Sequence, residues 1–171
     1  MVVSVALMVA VLAQDPKPPT TPESTSPVGA WQASDETAPL DGRRTVTRTL
    51  LSTNQVTDST GRPVPGILML KCQGRSIIVY VTWPGAYFGT HLNDVSWRVD
   101  GSAIRSEGWE APYGMPNVTS EDNPRRLLDA IAGGQQLVMR VSSYNVAHDF
   151  TFDLGDGAEA VGAVREACVR R

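Results

Sequence analysis

The chain has little of what most enzyme chemistry is built from. It carries two histidines, two cysteines and 6% aromatics in 171 residues. His91 and His148 are far apart, and there is no Cys-x-x-Cys pair, so the sequence offers no metal-ligand spacing and no dithiol motif. Asp94 follows His91 by three residues and Asp149 adjoins His148, but neither spacing is diagnostic; surface or turn histidines are the favoured reading. A Gly-x-Ser-x-Gly elbow, a glycine-rich phosphate loop and a His-Glu-x-x-His helix are all missing. No metal and no cofactor is therefore expected. The net charge is −3, and Lys and Arg form no stripe, which argues against a nucleic-acid partner. No apolar run reaches the roughly 18 residues that span a bilayer.

What is present points to strands and turns. Twelve prolines and fifteen glycines suit a turn-rich β chain better than a helical bundle. The organising stretch is Ile67 to Trp83. Two β-branched, apolar runs, Ile67–Cys72 and Ser76–Trp83, flank Gln73-Gly74-Arg75, which is a hairpin signal. Both faces of this hairpin are largely apolar, so a central position is expected. Val95-Ser-Trp-Arg-Val-Asp100 alternates cleanly, with Val95, Trp97 and Val99 on one face. Arg43 to Val56 reads as a strand with Val46 and Leu50 inward. Ala103–Trp109, Gln136–Tyr144 and Ala147–Leu154 read as further strands, with Phe150, Phe152 and Leu154 as core. Trp31–Leu40 and Asp58–Gly66 read as irregular. Two short helices are expected. One is capped by Asn123 with Pro124 in its first turn and Leu127, Leu128 and Ile131 inward. The other is Ala158–Cys168, with Val161, Val164 and Cys168 along one side. The expected fold is mainly β: a small antiparallel β-sandwich or curved sheet with two short helices.

Residues 1–13 (MVVSVALMVAVLA) form a short uncharged apolar run ending in small residues, like the core and cleavage site of a secretory signal peptide. Its basic opening is missing, which suggests a truncated start; the alternative is a buried N-terminal element. Residues 14–29 are rich in Pro, Thr and Ser and read as a flexible tether, or as an N-terminus with no role. Residues 30–171 would form a single β-rich domain. Cys72 ends the first hairpin strand and Cys168 lies near the C-terminus. With an export signal the pair reads as a disulfide tying the last helix to the core; without one, as two reduced core cysteines.

Four aromatics, Tyr87, Phe88, Trp109 and Tyr113, fall in Gly/Pro-rich, loop-like stretches. They are a candidate binding surface, or they plug the ends of the sheet. Glu107 and Glu110 flank Trp109 and could imitate a carboxylate pair acting on glycan, although residues three apart on a strand face opposite ways. Arg98 and Asp100 read as a solvated cross-strand pair. Asn117-Val-Thr119 fits the glycosylation sequon, which matters only in a eukaryotic secretory pathway.

The order of short blocks resembles a known family. Trp31 is followed by Pro39-Leu-Asp41, Leu68-Met-Leu-Lys-Cys72, Val79-Tyr-Val-Thr-Trp83, Trp97-Arg-Val-Asp100, Gly108-Trp109, Leu137-Val-Met-Arg-Val141, Phe150-Thr-Phe-Asp-Leu154 and Val164-Arg-Glu-Ala-Cys168. This pattern resembles the VasI/TagO family, envelope proteins associated with type VI secretion in Gram-negative bacteria. The Phe-x-Phe-Asp-Leu block before an Ala-rich helix is also similar to the invasion-associated locus B family. The resemblance implies an exported, non-enzymatic periplasmic accessory protein whose partner is an envelope or secretion-apparatus protein. It carries no catalytic residues. The alternatives are a cell-wall glycan enzyme and an invasion-type exported factor.

Overall fold

The computed structural model describes residues 29–40, 42–73, 75–88, 92–111, 117–120, 124–143 and 146–169. The proposed signal (1–13), most of the tether, His91, Tyr113 and Asn123 lie outside them. Nine strands and two helices follow in order: β1 (Gln32–Thr37), β2 (Arg44–Thr57), β3 (Pro63–Gln73), β4 (Ser76–Thr82), β5 (Leu92–Val99), β6 (Arg105–Glu110), β7 (Asn117–Ser120), α1 (Arg125–Gly133), β8 (Gln136–Ser143), β9 (Val146–Asp153) and α2 (Gly157–Val169). All pairings are antiparallel, in the order β1-β2-β3-β4-β7-β6-β5-β8-β9.

The sheet has two halves. Among the described residues their link is one register pair, Glu110 with Thr119, between β6 and β7. The sheet folds over so that the inner faces of the halves meet. Leu68, Leu70, Val79 and Val81 of one half are fully buried, as are Val95, Leu137, Met139, Phe150 and Phe152 of the other. The expected hairpin forms as β3–β4, with Cys72 opposite Ile77 and Leu68 opposite Val81. Both of its strands have neighbours on each side. Its second face is only half-buried, at Ile67, Met69, Ile78 and Tyr80.

On the opposite side from the β6–β7 link, β2 meets β9 without a regular ladder. The register of β2 shifts between Leu51 and Gln55, a bulge of the kind that bends a strand. Within it the amide of Asn54 takes over the role of a strand backbone. Its Nδ2 donates to Asp149 O at 2.7 Å, and its Oδ1 accepts the Thr151 N–H at 2.7 Å. Thr53 Oγ1 donates to Thr151 O at 3.1 Å. Buried Ser52 holds the bulge: its hydroxyl donates to Asn54 O and accepts the Gly66 N–H. Gly66 lies against Phe150 so closely that an added Cβ would overlap the ring.

Several elements differ from the sequence expectation. Residues expected to be irregular after Trp31 form β1. Its sequence QASDET has no apolar period; the strand is held by backbone pairing to β2 and by Asp35, which binds Arg44 at 2.7 Å and Arg48 at 2.8 Å. β3 starts at Pro63, inside the expected connector. Pro63 is the first residue of the strand and Pro65 stands opposite Gln55, where pairing resumes beyond the bulge, places where a proline is tolerated. β7, carrying the Asn117 sequon, was not foreseen. α1 begins at Arg125 with Pro124 at its N-cap and no side-chain cap bond.

Asp100 is not half of a cross-strand pair with Arg98. It sits past the end of β5 at φ 50°, and its carboxylate accepts the N–H groups of Gln135 and Gln136, the latter at 2.8 Å. That clamps the α1–β8 connection onto the β5 turn.

A methyl group at Gly66 forces Phe150 out of its place in the closed sheet. Gly66→Ala is expected to cost about 1–3 kcal/mol, the usual range for overpacking a dense core, measured by urea unfolding. An unchanged midpoint would show that Phe150 can move freely.

Candidate functional site

The last helix is where the fold is most tightly tied. α2 packs on β2, β3 and β4 through buried Ala160, Val161 and Val164. Its apolar residues recur at three- and four-residue spacing, which puts one stripe on the sheet. Cys168, on the last turn, is bonded to Cys72 on β3: S–S 2.05 Å, Cα–Cα 5.7 Å, 96 residues apart in sequence. Cys72 is fully buried. A second tie joins the helices, Arg165 to Asp129 of α1 at 2.5 Å.

β1 projects past this helix, with Ala33 to Thr37 exposed. A groove therefore runs between β1 and the flank of α2, floored by Val46 and Arg48 of β2. One cavity of about 290 Å³ takes in Trp31, Ala33, Arg48, Asp156, Glu159 and Ala160. Another of about 170 Å³ takes in Asp35, Arg44, Arg48, Ala163, Glu166 and Ala167. Arg48 is common to both. Trp31 closes one end, its indole N–H donating to Leu154 O at 2.8 Å. Both arginines turn to Asp35, whose carboxyl they hold below its ordinary value, Arg48 most strongly.

The expected aromatic surface is dispersed. Tyr87 is 80% exposed. Phe88 and Trp109 are both 1% exposed and belong to the core, so neither ring can meet a partner. Phe88 packs edge-on against Trp83 at 4.9 Å. The Trp109 indole N–H points to Glu107 Oε2, 3.5 Å away. Phe88 packs in the core, and Trp109 lies on the buried face of β6. Glu107 shares the inner face with Trp109, whereas Glu110 lies on the other face, as strand alternation requires. The carboxylate pair does not form. Among the described residues, no group of three His, Cys, Asp or Glu could hold a metal, and no helix is long and apolar enough to cross a membrane.

His148 is half-buried, with its ring 4.7 Å from Trp83 and 6.4 Å from Phe150. A shallower groove on the outer face of β5, β8 and β9 is lined by Ser96, Arg98, Ile104, Val138, Arg140 and Asp149. There Arg140 is already gripped through two bonds, at 2.6 and 2.7 Å, by Asp149.

The groove beside α2 was missed in the sequence reading. A signal for it existed: Asp156, Glu159, Ala163 and Glu166 recur at helical spacing opposite the apolar stripe. Trp31 and Arg48, which complete it, come from segments distant in sequence.

These features define a class, an antiparallel β-sandwich whose C-terminal helix is bound to the core by a disulfide. No protein-family model matches the chain, and no curated protein matches it. Among solved structures, invasion associated protein B from Bartonella henselae superposes with a TM-score of 0.49 at 15% identity, over 81% of this chain and 94% of that one. Its name is that of the second family resemblance drawn from the sequence, and likeness at this level assigns neither activity nor partner. Nothing in the comparisons singles out the VasI/TagO family.

Burial pushes the His148 pKa below the ordinary 6.5, against a smaller opposite pull from Asp149. The unfolded chain therefore takes up a proton that the folded chain resists, and stability falls as pH drops from about 6.5 toward the lower folded value. Asp35, Asp58 and Asp149 have their pKa values held down, by hydrogen bonds from Arg48, Thr60 and Arg140 respectively. Their contribution is lost only below the ordinary carboxylate value of 3.8. Melting temperatures at pH 7.5 and 5.5 separate the two windows. His148→Phe should shrink the loss over that interval, and a loss of full size in the variant would remove His148 as its cause.

Proposed function

We propose that this chain is an exported, non-enzymatic binding protein of the Gram-negative cell envelope, an accessory to a larger assembly such as a type VI secretion apparatus. The observation that carries the reading is the Cys72–Cys168 bond. A bridge closing so long a loop is worth about 4–5 kcal/mol on the chain-entropy model, and such bonds persist in oxidising compartments such as the periplasm. The signal-like residues 1–13 support the same location. A rigid β body with a locked helix suits a protein that presents a fixed surface to a partner.

The enzyme reading rested on Glu107 and Glu110 acting together. Their placement on opposite faces weighs against it. The invasion-type factor remains the second reading of the same architecture. It differs in leaving the partner unknown.

Crosslinking in the envelope of the native host tests the proposal, with the tagged full chain as bait. The Cys72→Ser, Cys168→Ser double variant is the control. Recovery of defined envelope or secretion-apparatus proteins by the native chain, reduced at least tenfold in the control, is the expected result. Clearing of cell-wall material by the purified chain, or no specific recovery, would overturn it.

A further inference from the structure

β9 is held in two different ways. It is joined to β8 by backbone pairing along its whole length, from Val146 to Asp153. Toward β2 it is held by side chains: Asn54 binds Asp149 O and the Thr151 N–H, and Thr53 binds Thr151 O. The bonds to Asp149 O and Thr151 O are open to solvent. β2 and β9 can therefore part without breaking a strand ladder, and with the bond between Cys72 and Cys168 intact.

His148 stands at this seam. It shares the inner face of β9 with Phe150 and Phe152, as strand alternation requires. Its ring lies 4.7 Å from Trp83, which is itself 5.2 Å from Phe150. Within that stack of rings it is the one group that titrates near neutrality. Exposure rises along this face of β9: Phe150 is fully buried, His148 half-buried and Val146 mostly exposed. The imidazole thus sits at the lip of the core.

The charges around it are few. Asp149, next in the chain, draws a proton on, but more weakly than burial holds it off. Val141 stands opposite on β8, and Arg140 beside it is taken up by Asp149. Asp58 lies against Gly85, in the segment after Trp83, and its carboxylate is taken up by Thr60 and Arg62. Asn54 of β2 is uncharged. The face of Trp83 attracts a cation, yet the ring sheds water to lie there, and burial is the larger effect. An added proton therefore favours a state in which the imidazolium is hydrated. Hydrating it moves the start of β9 off Trp83. Asp149 O, one residue on, is the acceptor of Asn54, so that bond is the first to give.

We propose that the β2–β9 seam is an acid-sensitive latch. Protonation of His148 draws the first half of β9 away from Trp83 and releases Asn54 from Asp149 and Thr151. The sandwich opens on this side and bares the rings of Trp83 and Phe150, while α2 stays bolted to β3. The latch is a property of the chain itself and does not depend on the binding-protein reading.

The test is amide exchange read by NMR on the full, disulfide-bonded chain at pH 7.5 and 5.5, with each rate corrected for the intrinsic effect of pH. The Thr151 amide, held by Asn54, reports the seam. The Val164 amide, inside α2 and fully buried, reports the body. Thr151 should lose protection severalfold on acidification, up to about the tenfold that an ordinary histidine pKa allows over this interval. Its exchange should stay flat in low urea, as local opening does, while that of Val164 rises steeply. His148→Gln and His148→Phe should each hold Thr151 protection within twofold between the two pH values. Asn54→Ala should lower it at both. Unchanged Thr151 protection in the native chain would overturn the proposal. So would a urea dependence at Thr151 as steep as at Val164, since the whole chain would then be opening. A full acid effect in both His148 variants would overturn it as well. Failure here leaves export and the partner untouched, which the envelope crosslinking reads separately.

Discussion

A nine-stranded antiparallel sheet buries one face only if it closes on itself, and here closure depends on the meeting of β2 with β9. Among the described residues the other seam is one register pair between β6 and β7. Asn54 bridges strands that have no common ladder, giving Asp149 O a donor and Thr151 N–H an acceptor. Without it those backbone groups would need other partners at the join. The approach is permitted by Gly66, which lets Phe150 lie on β3, and by Ser52, which fixes the bulge from both sides. Phe150, which meets β3 at this join, is fully buried.

Closure leaves the ends of the sandwich to be filled. One end takes aromatic rings: Trp83, Phe88 and Phe150 pack together, with His148 against Trp83. Toward another side α2 lies over β2, β3 and β4, fixed by Val161 and Val164 and bolted by the disulfide. The bolt has a functional consequence. A helix held at its far end against the sheet keeps a constant distance from β1, so the groove between them is preformed. A preformed groove spares a ligand the cost of ordering it.

Much of the core could be read from sequence because burial imposes a period. Val95, Trp97 and Val99, or Leu127, Leu128 and Ile131, announce a face by spacing alone. The disulfide was legible from an export-like start and two cysteines in segments that looked buried. β1 was not legible: QASDET has no inward face, and its strand state comes from pairing with β2. The burial of two of the four aromatics was hidden for a related reason. Phe88 and Trp109 stand among Gly and Pro, which marks irregular backbone but says nothing about exposure. The role of Asp100 was hidden as well, since its partners, the amides of Gln135 and Gln136, lie across a helix in sequence. The groove combines a helix face, visible as a carboxylate spacing, with an edge strand that was not.

On the proposed reading the protein works in an oxidising compartment, with its last helix covalently tied to the core. Acid-quenched thiol trapping in intact native cells tests it most directly: a maleimide-polymer reagent is applied to the denatured chain before and after reduction. No shift before reduction and a shift of two adducts after it, in the envelope fraction, is the expected result. Two adducts before reduction, on a chain recovered from the cytosol, would contradict it.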